Sequence, residues 1–381
     1  MRQGMGQTMN RPKLLFLATE DWFVRSHFEH LLHRAQEEGY DVSVAARISG
    51  ALEHVGVRLI PMQIDRASTL SLWREAEAVR ALLREERPAL AHAIALRSVA
   101  ALLLAPPLPA VFAVTGRGYL SQHRSPWAQA VLELAARGVR RRIKDGSGVL
   151  LVENESDLAW VRGAEPSLPH DRVVLMPGAG VDVARYALRP EPAGKPVIGV
   201  AARLVRSKGV DVAVEAVSLL RKEGFDLALR IAGAPDAGNP DSVSEEELAR
   251  WRGREGIELL GHVGDITAFW AGSHIACLPS RGGEGLPRSL LEAAACGRPI
   301  VTTDTPGCAD FVRRGDIGLA VEPENAAALA AGLRTLVRDA DLRRAMGARA
   351  RAHVEAHYTL KHAADAAAAA WRAAHGAKAR Q

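Results

Sequence analysis

Glu284 and Glu292, with seven residues between them, set the first chemical expectation, in the stretch SRGGEGLPRSLLEAAACGRP from Ser280 to Pro299. Gly282, Gly283 and Gly285 allow a tight loop whose backbone can approach a ligand, and Pro287 suits the first turn of a helix carrying Ser289 to Cys296. A helix that opens with unpaired N–H groups attracts an anion. The two carboxylates, about 12 Å apart if the rise is helical throughout, can hold hydroxyls at two places along one extended ligand with a phosphate between them. The same residues read equally well as a solvent-exposed glycine loop before an ordinary helix.

A second candidate is GVAARLVRSKG, Gly199 to Gly209, where Arg203 and Lys208 follow a strand and precede a helix. A planar guanidinium and a compact ammonium together can neutralise a diphosphate. Solvated cations on a loop are nevertheless the commoner fate of Arg and Lys. The first half of the chain offers three more segments at strand ends: His92 in Ala91-His92-Ala93, Arg117 in TGRGY, and the glycine turn PGAGVD from Pro177 to Asp182. A lone imidazole on an apolar strand is more often structural than catalytic.

The elements that must position these residues alternate regularly. Short apolar runs at Lys13 to Ala18, Asp41 to Ala45, Val57 to Ile60, Leu90 to Ile94, Ala110 to Thr115, Val149 to Val152 and Val173 to Met176 are separated by amphipathic stretches. This is the pattern of repeated βα units around a parallel sheet. Pro190, Pro192, Gly194 and Pro196 interrupt it, and a second series follows at Val197 to Ala201, Leu227 to Ala232, Ile257 to Leu260, Ile275 to Leu278 and Ile300 to Thr303. The expected architecture is α/β, two tandem Rossmann-like domains whose parallel sheets face a central cleft. We expect a disordered tail over 1–10, an N-terminal domain over 11–186, a C-terminal domain over 187–357, and a C-terminal helix over 358–381 that packs back on the first domain.

Composition narrows the class. In 381 residues, 48% hydrophobic and 24% charged, there is enough apolar material for two cores, and a net charge of +5 is too small a basic excess for a nucleic-acid protein of this size. Cys277, Cys296 and Cys308 lack the paired spacing of a zinc or dithiol site, which fits a reducing, cytoplasmic setting. The polar start of the chain has no apolar signal segment. The most apolar stretch, Val99 to Val114, is broken by Pro106, Pro107 and Pro109 and is too short to span a bilayer.

The Glu284 to Glu292 spacing, RLVRSKG at Arg203 to Gly209, EGLPRSLLEAAACGRPIV from Glu284, TPGCADFV from Thr305 and GVD at Gly180 together resemble glycosyltransferase family 4, retaining enzymes of the GT-B fold. The likeness runs from Lys13 to Tyr358. It implies that Arg203 and Lys208 hold the diphosphate of a nucleotide-sugar donor, that Glu284, with Gly285 and Leu286, contacts the donor sugar, and that Glu292 contacts the ribose. It gives His92 a place near the donor sugar, makes Glu284, His92, Arg203 and Lys208 the catalytic set, and implies no metal and no cofactor. Thr19 to His27 departs from the family's glycine pair, reading TEDWFVRSH.

That departure, with HAIALRS, TGRGY and PGAGVD, resembles a subgroup that transfers N-acetylhexosamines such as N-acetylgalactosamine from a UDP-sugar to polyprenyl-diphosphate-linked saccharides in bacterial glycan assembly. Such an acceptor lies in a membrane, so the protein should dock peripherally at the inner, cytoplasmic leaflet. On a helical wheel for Ser125 to Lys144, Trp127, Val131, Leu134, Ala135 and Val139 share one side and Arg137, Arg140, Arg141 and Lys144 the other. Residues 117–144 carry a local excess of six positive charges, leaving the rest of the chain nearly neutral. With Arg117, these cations are the expected acceptor and membrane contacts, although a core helix with a solvated basic face has the same pattern. The alternatives on this scaffold are a sugar-nucleotide epimerase and a transferase with a soluble acceptor.

Overall fold

The computed structural model describes residues 11–64, 71–116, 126–236, 239 and 241–376. Seven strands build the first sheet: β1 (Lys13–Glu20), β2 (Asp41–Arg47), β3 (Arg58–Pro61), β4 (Leu90–Ile94), β5 (Ala110–Val114), β6 (Gly148–Val152) and β7 (Val173–Leu175). Their order is β3-β2-β1-β4-β5-β6-β7, parallel throughout. Helices α1 (Asp21–Glu37), α2 (Ser71–Glu86), α3 (Ala95–Leu103), α4 (Pro126–Lys144) and α5 (Glu155–Ala164) make the crossovers. Covered on both faces, the inner strands can be apolar at every position, which is why they read as unbroken hydrophobic runs.

The second sheet repeats the plan with β8 (Val197–Ala201), β9 (Ala228–Ala232), β10 (Ile257–Gly261), β11 (Ile275–Leu278), β12 (Ile300–Thr303) and β13 (Gly318–Val321), in the order β10-β9-β8-β11-β12-β13. The edge strand β13 escapes the sequence reading because it is four residues long, begins with glycine and is only half-buried. Helices α6 (Val210–Lys222), α7 (Glu245–Arg252), α8 (Ile266–Ala271), α9 (Arg288–Ala295), α10 (Cys308–Gly315), α11 (Ala326–Arg338) and α12 (Ala340–His357) cover it. In both sheets the order reverses beside the first strand, so each has its crevice at the carboxyl ends of its central strands.

The last helix, α13 (Leu360–His375), packs on the first sheet although it follows the second in the chain. Thr359 caps it by accepting from the His362 N–H, and its alanine face, Ala363, Ala367, Ala370 and Ala374, is completely buried. Small side chains let the helix lie close to the sheet, and Trp371 fills the space they leave. His92 is the partner of that tryptophan. The period of two along β4 sends Leu90, His92 and Ile94 to the face α13 covers, where His92 stacks on Phe16 with ring centroids 5.0 Å apart and its Nδ1 accepts from Trp371 Nε1 at 2.9 Å. Burial drives its pKa down to about 3, so the ring is neutral. His92 is therefore a core residue, and its expected place beside a donor sugar is corrected: it lies two residues before the end of β4 and faces away from the crevice.

Trp371→Ala should cost about 3–5 kcal/mol of unfolding free energy, because it opens a cavity and strips His92 of its donor. Urea denaturation measures it, and Trp371→Phe, which keeps most of the volume, should lose clearly less.

Candidate functional site

Lys208 reaches the crevice because of a glycine. Arg206–Lys208 forms a single 3-10 turn closed by Gly209 at φ 66°, and a Cβ on Gly209 would stand 1.9 Å from the Pro279 carbonyl oxygen. That contact sets the turn against the loop following β11. There Lys208 Nζ meets Glu284 Oε1 at 2.5 Å, and Ser280 Oγ lies 3.3 Å from the same carboxylate oxygen. Residues 76 apart in sequence thus form one ion pair with both side chains largely shielded from solvent. Arg203 stands further out, half-exposed and bonded to Asp236 at 2.6 Å.

The loop from Ser280 to Leu286 is fixed from several sides. Thr303 Oγ1 donates to the Ser280 carbonyl at 2.5 Å, and Arg281 donates to Asp211 at 2.7 Å. Gly282 and Gly283 have φ of 115° and 78°, conformations that side chains strongly disfavour. Glu284 itself is not helical. Helix α9 begins at Arg288 with Pro287 as its N-cap, one residue later than the sequence suggests, so the helical spacing estimated for the two glutamates does not apply to 284–287. No side chain caps this helix; the Leu290 N–H turns back to the Pro287 carbonyl at 3.0 Å, and the N–H groups of Arg288 and Ser289 at its start are left for an anion. Glu292 lies on α9, nearly buried, with Tyr186 Oη donating to it at 2.8 Å and Arg288 Nε 2.8 Å away.

Across the crevice, the first domain supplies the other wall. A Cβ on Gly116, just past β5, would come within 2.5 Å of both the Gly283 oxygen and the Gly285 nitrogen; one on Gly285 would stand 2.0 Å from Glu153 Oε2. Gly178 of the PGAGVD turn packs on the Leu286 side chain. Asn154 Nδ2 donates to the Gly285 carbonyl at 2.9 Å, and Leu286 N donates to Glu153 Oε2 at 3.3 Å. Among the described residues no cation stands beside Glu153 to offset its burial. Burial first, then repulsion from Glu284 and Asp157, lifts its carboxyl to a pKa of about 8, so it is protonated at neutral pH.

Neither Glu153 nor Asn154 stands out in the sequence, and His27 is missed as well. The expected loop from Thr19 to His27 is instead strand to Glu20 and helix from Asp21, which carries His27 on the second turn of α1. Ser26 Oγ is 2.6 Å from His27 Nδ1. Burial and the nearby cations Arg288, Lys208 and Arg203 hold this ring neutral, with a pKa of about 3. The imidazole therefore senses the three positive charges as one group. The position of His27 early in the helix after the first strand was the available clue, because that places it at the carboxyl end of the sheet.

Helix α4 differs in part from the wheel. Ala135, Val139 and Ile143 face the core, but Leu134 is 68% exposed and Arg142 is buried, donating to the Leu108 carbonyl and to Ser147 Oγ. Leu134 thus leaves the apolar side, and Arg142, which the wheel assigned to neither side, joins the core. Arg137 and Arg140 share Glu133, Lys144 pairs with Glu165, and Arg141 is exposed. Arg117 and the side chains of Trp127 and Val131 lie outside the described residues. All three cysteines are buried, and burial raises their thiols to about 11–12, too high for thiolate chemistry at neutral pH. Among the described residues no group of three or more His, Cys, Asp or Glu is arranged to hold a metal ion, and no helix is long and apolar enough to cross a membrane.

Residues 188–353 match the family described as glycosyl transferases group 1, and residues 13–143 match the glycosyl transferase 4-like family. A capsular polysaccharide biosynthesis glycosyltransferase, CapM of Staphylococcus aureus, is 28% identical over 159 residues, covering 42% of this chain and 41% of that one. The N,N'-diacetylbacillosaminyl-diphospho-undecaprenol alpha-1,3-N-acetylgalactosaminyltransferase of Campylobacter jejuni is 34% identical over 150 residues, 39% of this chain and 37% of that one. The chain thus spans about two fifths of the length of these two relatives. In three dimensions it superposes on HepE from Anabaena, solved in complex with UDP and glucose, with a TM-score of 0.73 at 17% identity over 94% of this chain and 98% of that one.

Glu153 makes stability depend on pH. An unfolded glutamic acid releases its proton near pH 4.5, whereas the folded one keeps it to about pH 8. Within that window the folded state binds a proton the unfolded state has lost, so stability falls as pH rises and levels off above it. Glu153→Gln removes the slope: chemical denaturation should find the variant more stable than wild type at pH 8, by on the order of 2–4 kcal/mol, and close to it at pH 4.5.

Proposed function

The chain belongs to the glycosyltransferases of GT-B fold, and from that premise we propose that it is a retaining enzyme moving an N-acetylhexosamine from a UDP-sugar to a polyprenyl-diphosphate-linked saccharide in bacterial polysaccharide assembly. The observation that carries the reading is the Lys208–Glu284 pair on a glycine loop at the crevice. A nucleoside diphosphate laid there meets the Lys208 ammonium, with Arg203 further out and the uncapped start of α9 beside it. These groups are fixed before reaction. They stabilise the negative charge that grows on the departing phosphate without having to reorganise.

Glu284 is placed for the donor sugar's hydroxyls. When phosphate oxygens take over Lys208, this carboxylate keeps Ser280 and becomes an acceptor for the sugar. Glu292, oriented by Tyr186 and Arg288, presents its carboxylate to the ribose. In a front-face transfer the bond from the anomeric carbon to the β-phosphate oxygen breaks, the acceptor oxygen bonds to the same face, and its proton passes to the leaving phosphate. No protein nucleophile is needed, and none of the buried thiols is suited to be one. The Campylobacter relative, named for transfer of N-acetylgalactosamine to a diphospho-undecaprenol-linked sugar, supports the donor sugar and the acceptor class.

A lipid-linked acceptor brings the enzyme to the inner leaflet. Arg137, Arg140, Arg141 and Lys144 lie on one helix beside the exposed Leu134, and such cations contribute about 1 kcal/mol each near an anionic surface. Their pairs with Glu133 and Glu165 are at least partly exposed and screened by solvent, so lipid phosphates can replace them.

Two measurements test this reading. With a UDP-N-acetylhexosamine and a polyprenyl-diphosphate-linked saccharide, Lys208→Ala and Glu284→Ala should each lower kcat about 10²–10³-fold; near wild-type transfer by both would remove their assigned roles. Reversing all four α4 charges to glutamate should abolish salt-sensitive sedimentation with phosphatidylglycerol vesicles, and unchanged sedimentation would refute docking through this face.

A further inference from the structure

His27 stands at the crevice with one ring nitrogen unused. The Ser26 hydroxyl gives its single proton to the Phe23 carbonyl at 3.1 Å, so the 2.6 Å contact between Ser26 Oγ and His27 Nδ1 is a bond that the ring donates. The Phe23 carbonyl favours a proton on the ring as well. The Phe23 side chain, its ring centroid 4.4 Å away, holds the imidazole in place from the preceding turn of α1. Nδ1 therefore carries the hydrogen, and Nε2 keeps a lone pair that has no hydrogen-bond partner among the described residues.

Charge around that lone pair is one-sided. Across the crevice stand Arg288, at the start of α9, and Lys208 and Arg203, each with a carboxylate partner in Glu292, Glu284 or Asp236. In the first domain the carboxylates near the start of α1 are engaged: Glu20 by Arg47, Asp21 by Ser49 and Ala51, and Glu29 by His33 and His54. His30, one turn along, is a second neutral ring, with a pKa of about 4. The ion pairs between α1 and α13, Arg34 with Asp365 and Glu38 with Arg372, lie two turns or more away. An anion that cancels the three cations thus gives the lone pair the means to take a proton.

We propose that His27 is a donor-site residue that takes a proton at Nε2 as the diphosphate binds and donates it in a hydrogen bond to a phosphate oxygen. The inference rests on the nucleotide-sugar donor of the preceding section and adds a contact from the first domain, since every other group placed on the diphosphate belongs to the second. The proton comes from solvent and stays on the ring through transfer, while the acceptor's own proton still passes to the leaving phosphate. A charge-assisted bond of this kind strengthens as the phosphate gains negative charge, so the ring stabilises the departing group from the wall opposite Lys208. In the free protein the ring has a pKa of about 3; beside a diphosphate it returns toward the ordinary imidazole value of about 6.5. Between those values the complex holds a proton that the free protein lacks. Donor affinity therefore rises as pH falls through the bound-state value and is flat above it.

The test is calorimetric titration of the full-length protein with UDP-N-acetylgalactosamine, without acceptor, at pH 5.5 and pH 7.5, a range in which this donor's phosphates do not titrate. The dissociation constant should be at least about threefold lower at pH 5.5, and buffers of different ionisation enthalpy should reveal proton uptake there. His27→Gln, which keeps an N–H near the Nε2 position but cannot titrate, should bind equally well at both pH values. A melting curve shows whether it folds, and His27→Asn is the second variant. In the wild type, nitrogen NMR should find a histidine ring that changes from neutral to imidazolium when the donor is added at pH 5.5. Affinity independent of pH in the wild type, or a slope that survives in a folded His27 variant, overturns the proposal. Absent binding would refute the donor reading itself, whereas binding without the slope refutes only the role given to His27.

Discussion

Backbone meets backbone across the crevice, and the site exists because side chains are absent there. Gly116 lies on Gly283 and Gly285, Gly285 on Glu153, and Gly307 so close to Gly285 that a Cβ on it would stand 1.8 Å from the Gly285 oxygen. Four glycines from three separate segments thus enclose the loop that carries Glu284. A methyl group on Gly116 or Gly285 would push the loop away from the first domain, and one on Gly307 would displace it from its own. The Lys208–Glu284 pair depends on the same seam, because Gly209 performs the equivalent service against Pro279 on the other side.

Charge is arranged with the same economy of contacts. Lys208, Arg203 and Arg288 surround one crevice, and each has a carboxylate partner in Glu284, Asp236 or Glu292. The cations are held in place without being neutralised irreversibly, because a diphosphate is a stronger competitor than a single carboxylate. Glu153 is the exception. Surrounded by backbone and acidic neighbours, it stays protonated and acts as a neutral strut between the domains. Further support comes from the hydrogen bonds of Ser156 to Asp310, at 2.7 and 3.0 Å, which tie the start of α5 to α10.

Much of this was legible in the sequence, for identifiable reasons. Parallel strands buried on both faces read as apolar runs, and every strand expected in the first domain is present; in the second only β13 is missed, because a four-residue half-buried edge carries little pattern. Arg203, Lys208, Glu284 and Glu292 were marked by the ends of strands and by glycines. That Lys208 would touch Glu284 was not, since nothing local encodes a contact over 76 residues. His92 was misplaced because spacing does not reveal which face of a strand a later helix covers, and α13 arrives 268 residues downstream of it. On α4, Leu134 left the apolar side because it sits near the boundary of the stripe, where a helical wheel decides least, and Arg142 is buried because Leu108 and Ser147 accept from its guanidinium, partners that no local pattern reveals. Glu153 gave no signal, and His27 only its place shortly after the first strand; their character comes from neighbours supplied by the rest of the fold.

The account stands on the crevice between the glycine seam and the start of α9 being the place where a nucleoside diphosphate binds. A crystal structure of the protein with UDP measures this directly. The diphosphate should lie within hydrogen-bonding distance of Lys208 and the first N–H groups of α9, with Glu292 on the ribose and the Lys208–Glu284 contact opened. Density for UDP elsewhere, or UDP in the crevice with Lys208 still paired to Glu284 and no contact to its phosphates, would contradict it.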